Sequence, residues 1–138
     1  MATYVKYEPW VESVSNKLID QFGTTDTFRA VIHSDAPTVA TDDELADLTQ
    51  VTGTGYTAGG EDIQNDSTRS GGTVTFTAVD TPWTATAADW GAGRYVSIHD
   101  DTSTTDRLMC SFDYGGSFTL GNGETFTVDF GASLFTYA

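Results

Sequence analysis

Residues 94–130 constrain the fold more than any other stretch, because their apolar side chains recur mostly at every second position. Tyr95, Val96 and Ile98 form one run, Leu108, Cys110 and Phe112 a second, and Phe126, Val128 and Phe130 a third. A period of two places alternate side chains on the same face of a strand, so each run predicts a strand with one buried face. The breaks are the acidic segment from Asp100 to Asp106, the pair Gly115-Gly116 and the triplet Gly121-Asn122-Gly123. Such residues supply positive φ or side-chain bonds to the backbone where a chain reverses. Three successive strands joined by short turns predict an antiparallel sheet.

The remainder extends the pattern. Residues 26–33 alternate, with Phe28, Ala30 and Ile32 facing one way and Arg29, Val31 and His33 the other, before Pro37 interrupts. Residues 71–79 place Val74 and Phe76 on one face and Thr73, Thr75 and Thr77 on the other, and residues 132–137 predict a last strand. Thr41-Asp42-Asp43-Glu44 has the spacing of a capping box, with Thr41 as the cap of a short helix. Near the start, Pro9 precedes Trp10, Val11, Val14, Leu18 and Ile19, an apolar helical stripe that predicts a helix over residues 9–19, ending near Gly23. A chain of 138 residues fits one domain. The expected fold is mainly β: a single antiparallel β-sandwich or jelly-roll-like domain over residues 23–138, with residues 1–22 as an N-terminal arm and helix packed on it or docking beside it.

No constellation in the chain predicts catalysis. The only cysteine, Cys110, alternates with Leu108 and Phe112 and reads as a small buried residue, and neither His33 nor His99 falls in a Cys-His motif. The loop from Gly53 to Gly60 lacks the lysine that a phosphate-cradling loop requires. Asp42, Asp43 and Asp47 lack the spacing of a calcium loop. His99, Asp100, Asp101 and Asp106 flank a turn where hard oxygen ligands cluster, although a solvated acidic hairpin is the expectation. Trp83 and Trp90, with Tyr56, could stack on sugar rings; plugging an open end of the sandwich is the expected use. The chain is therefore expected to be no enzyme and to carry no cofactor and no metal.

A net charge of −14 repels phosphate backbones, which argues against nucleic acid as a partner. No run approaches the roughly 18 apolar residues of a membrane-crossing helix, so no membrane partner is expected. The opening residues lack the pattern of a secretory signal, which predicts synthesis in the cytoplasm.

Several segments in order along the chain resemble a family of small virion structural proteins of tailed bacteriophages. They are Asp26-Thr27-Phe28-Arg29-Ala30-Val31, Ala36-Pro37, Leu45-Ala46-Asp47-Leu48-Thr49, Gly55-Tyr56-Thr57-Ala58-Gly59-Gly60, Trp83-Thr84-Ala85, Arg94-Tyr95-Val96, Asp113-Tyr114-Gly115 and residues 123–130. The resemblance implies assembly rather than chemistry. Its expected form is a capsid decoration, or cement, protein on the outside of the head, bridging neighbouring subunits of the major capsid protein lattice. A homo-oligomer is expected, a trimer among the options, and so is a place in the virion after synthesis in the host cytoplasm. A tail or neck component is the alternative, and a carbohydrate-binding attachment module a further one. Under the decoration reading Tyr4, Tyr7 and Trp10 are expected as partner anchors, with Trp10 equally suited to the chain's own core.

Overall fold

The computed structural model describes residues 2–16 and 25–138. In chain order the elements are β1 (Thr3–Lys6), α1 (Pro9–Ser15), β2 (Phe28–His33), a 3-10 turn (Leu45–Asp47), β3 (Glu61–Asp62), β4 (Asp66–Ser70) and β5 (Thr73–Thr77). They continue with β6 (Thr81–Thr84), β7 (Gly93–Asp100), β8 (Arg107–Phe118), β9 (Thr125–Val128) and β10 (Phe135–Tyr137). Every strand pairing is antiparallel. A five-stranded sheet has the order β1-β8-β7-β2-β3, a three-stranded sheet β10-β5-β4, and a two-stranded sheet β6-β9.

These sheets enclose one main core, and the expected β-sandwich class holds. From the large sheet come Phe28, Ala30 and Ile32 of β2, Val96 and Ile98 of β7 and Cys110 of β8; Phe76, Trp83 and Val128 come from β5, β6 and β9. The alternation of β2 and β7 delivers their share of this list, and each large side chain taken out of water contributes about 2–3 kcal/mol. The opposite face of the large sheet is covered as well. Tyr7, Val31, Leu48 and Leu108 form a second cluster with Leu45 packed against it. The segment after β2 folds back over the sheet, where Asp43 C=O accepts from the Leu108 N–H at 2.8 Å and Thr49 C=O from the Ser34 N–H at 3.2 Å. Strands β2 and β7 are consequently buried on both sides, apart from the half-buried Arg29 and Arg94.

Several boundaries differ from expectation. Gly115-Gly116 is not a chain reversal but lies within β8, where the partners Gly93↔Phe118 and Tyr95↔Asp113 leave extra residues on one strand. Gly115 takes φ 82, and its N–H donates to Asp113 Oδ1 at 2.8 Å, so the glycines make a bulge. The third apolar run leaves the sheet of the first two: β9 pairs with β6 in the opposing layer. The capping motif sits three residues later than expected, with Asp47 Oδ2 accepting from the backbone N–H of Asp43 at 2.9 Å and of Glu44 at 3.1 Å. Helix α1 begins at Pro9 as expected and is followed by the cap Asn16; the further expectations on Leu18, Ile19 and Gly23 lie outside the described residues. The arm is itself a strand, because Thr3 to Lys6 pair with Asp113 to Cys110 as the edge of the large sheet.

Candidate partner interface

Strands β1 and β10 are edges of their respective sheets, and α1 lies with them. Together they form a groove of about 430 Å³ lined by Tyr4 and Lys6 of β1, Trp10, Val11 and Val14 of α1, and Phe135 and Tyr137 of β10. Its floor belongs to the core. Phe135 stacks on Phe76 at 5.1 Å, Phe76 meets Phe28 edge-on at 5.3 Å, and Phe28 meets Trp10 at 6.2 Å. Its rim stays in water: Tyr4 is 42% exposed, Val11 51% and Tyr137 63%. Scattered apolar residues are ordinary on a surface, but three of them around one concave, aromatic-floored feature make it the candidate contact surface.

The three expected anchors separate. Tyr4 stands on the rim, edge-on to Phe112 at 5.5 Å, and remains available. Burial, with Cys110 nearby, raises the pKa of its hydroxyl. Trp10 is 6% exposed and part of the core cluster, which corrects its use as an anchor in favour of the intramolecular alternative. Tyr7 is fully buried on the other face of the large sheet, its hydroxyl 2.9 Å from Ser97 Oγ, and cannot meet a partner without leaving the fold. Phe135 and Tyr137 are the groove residues that sequence reasoning missed. Their alternation in the last strand was visible, but not that this strand would lie beside α1.

Tyr7 also ends a buried polar chain. His33 Nδ1 lies 3.0 Å from the Asp35 carbonyl and 3.3 Å from Asp35 Oδ1, while its Nε2 lies 2.8 Å from Ser97 Oγ. The carbonyl can only accept, so Nδ1 carries the proton and Nε2 accepts from the Ser97 hydroxyl, which in turn accepts from Tyr7. Burial lowers the His33 pKa against the raising influence of Asp35, and pushes Tyr7 up to about 12. The order Ser–His–Asp matches a nucleophilic triad, yet Ser97 and His33 are both fully buried. A carbonyl substrate has no approach to Ser97, and the chain serves to satisfy polar groups between β2, β7 and Tyr7.

The remaining sequence candidates are occupied within the fold. Trp83 and Trp90 are each 2% exposed, and the Trp90 Nε1–H donates to the Thr54 carbonyl at 3.0 Å, so both plug the interior and offer no face to a sugar ring. Cys110 is buried, with its thiol pKa raised by burial. Asp42 accepts from the Thr38 N–H, Asp43 pairs with Arg107, and Asp47 caps the 3-10 turn, so these carboxylates serve separate partners. Among the described residues no helix is long and apolar enough to cross a membrane. Comparison with protein-family models, curated proteins and solved structures finds no match to this chain.

Proposed function

We propose that this chain is a structural virion subunit of a tailed bacteriophage, a decoration protein that docks on the outside of the assembled head and bridges neighbouring major capsid subunits. The observation that carries this reading is the groove between two sheet edges, with the exposed rim of Tyr4, Val11 and Tyr137 over a floor anchored in the core. Tyrosine is enriched among residues that dominate interfaces, and an exposed strand edge such as β1 can add main-chain hydrogen bonds to a partner strand. A ligand that binds only the assembled shell stabilises that state by mass action. The net charge of −14 keeps particles carrying many copies from adhering to one another.

Two measurements test it. Quantitative mass spectrometry of fractionated virions should find the protein with heads in numbers set by the shell symmetry, on the order of hundreds. A few copies travelling with tails would instead identify a tail or neck component. The double variant Val11→Ser, Tyr137→Ser should melt within about 3 °C of the parent, because both side chains are more than half exposed, and should bind heads at least about tenfold more weakly. Unchanged head binding by the folded double variant would remove the groove from the interface.

A further inference from the structure

We propose that His99, Asp101 and Asp106 form a binding site for a divalent transition-metal ion, with Zn²⁺ the best-matched, at the turn between β7 and β8. One ring nitrogen of His99 and one carboxylate oxygen from each aspartate lie within 4.8 Å of one another. Ligands around a tetrahedral ion at about 2.0–2.2 Å stand about 3.3–3.6 Å apart, so modest rotation of the turn side chains closes the set.

The imidazole carries the argument, since clustered carboxylates alone are ordinary on so acidic a surface. His99 is fully buried at the floor of the turn, while Asp101 is exposed and Asp106 half-buried. Its Nε2 lies 2.9 Å from the Gly59 carbonyl. A carbonyl can only accept, so Nε2 bears the hydrogen and Nδ1 the lone pair. That Nδ1 is buried and has no hydrogen-bond partner. A buried acceptor left without a donor is costly and calls for an explanation. A histidine whose second nitrogen donates to a backbone carbonyl is held in the orientation that metal-binding imidazoles use.

The carboxylates are similarly placed. Arg29 Nε donates to Asp101 Oδ2 at 2.9 Å, which leaves Oδ1 for an ion, and Arg29 also donates to the Gly60 carbonyl at 3.1 Å. One guanidinium therefore holds both Asp101 and the loop that orients His99. Asp106 has a left-handed backbone, φ 52, and its carbonyl accepts from the Leu45 N–H at 3.0 Å. Calcium and magnesium take oxygen ligands, whereas one imidazole with two carboxylates suits zinc and its neighbours and leaves a position for water. Bound there, an ion would join the two ends of the β7–β8 turn.

The test uses the full chain after treatment with a chelator. Titration calorimetry with ZnCl2 should show one ion per chain, bound at least about tenfold more tightly than Ca²⁺ or Mg²⁺. In ¹⁵N NMR, Zn²⁺ should shift Nδ1 of His99 and leave the ring of His33 unmoved. Asp106→Asn removes a charged ligand while tolerating the left-handed backbone, and should weaken Zn²⁺ binding at least about tenfold at unchanged metal-free melting temperature. Asp101→Asn is the second variant, with the same expectation for Zn²⁺. Zn²⁺ binding no tighter than Ca²⁺, a His99 resonance unmoved at saturation, or full affinity in both variants would each overturn the site.

Discussion

His33 carries a cost that depends on pH. It is fully buried, and the groups facing it are Ser97 and the stacked ring of Tyr95 on β7, Tyr7 after β1, and Asp35 and Asp42 from the covering segment. Burial outweighs those carboxylates and lowers its pKa from 6.5. As pH falls below about 6.5 the unfolded chain takes up a proton that the folded chain declines, so stability falls by up to about 1.4 kcal/mol per pH unit until the folded pKa is reached. His33→Asn removes this titration and costs stability at neutral pH through the lost Ser97 contact. The gap between variant and parent should be constant above pH 6.5 and should narrow below it by up to that slope, read from urea denaturation at pH 7.5, 6.5 and 5.5. Parallel stabilities across the series would mean that His33 titrates alike in both states. His99 has a pKa lowered in the same direction but is present in both proteins and cancels. Sequence spacing could place Cys110 inside, because it alternates with Leu108 and Phe112, and the size of Trp83 and Trp90 argued for plugging the interior, while Trp10 stayed open between core and interface. Spacing could not place Tyr7, whose burial comes from Ser97, 90 residues away.

The loop from Gly53 to Gly60 tests how an element is held. Gly59 and Gly60 have similar φ, 88 and 79, but different surroundings. A Cβ on Gly59 meets nothing within 4 Å, whereas one on Gly60 would stand 1.9 Å from the Ala30 carbonyl oxygen of β2. Gly59→Ala should therefore cost only the left-handed strain, about 1–2 kcal/mol. Gly60→Ala adds a clash with a central strand and should cost about 4 kcal/mol or more, or prevent folding. Equal losses in chemical denaturation would show that the loop can withdraw from β2 and does not brace it. Turn glycines were legible along this loop, but which one faces a strand was not. The same limit explains β8 and β9. Alternation identified both strands, yet it reports buried faces and not partners, so the bulge at Gly115 and the pairing of β9 with β6 emerged only from the assembled layers. β1 escaped notice because four exposed residues at a sheet edge carry no buried face to read. One wall of the candidate groove, Tyr4 and Lys6, belongs to that strand.

At the scale of the molecule, charge is wholly legible from composition and its consequence is collective. Twenty acidic residues oppose six basic ones, and Arg29, Arg94 and Arg107 are each engaged locally by Asp101, Asp113 and Asp43. The bidentate Arg94 contact, with the Gly115 N–H, pushes Asp113 down to about 2, so that pair persists through the physiological range. What remains is an excess of negative charge whose mutual repulsion is relieved by unfolding. Salt shortens its reach from about 20 Å near 20 mM to about 4 Å near 0.5 M. The melting temperature should therefore rise by about 3 °C or more across that range, most of the gain coming below about 0.2 M. Screening saturates in this way, whereas a general salting effect on apolar burial continues to grow with concentration. A melting temperature that falls with salt would mean that the three arginine–aspartate contacts outweigh the repulsion. The same field acts between copies. It holds them apart, and under the proposed docking role it would keep the chain dispersed until the capsid surface fills the groove.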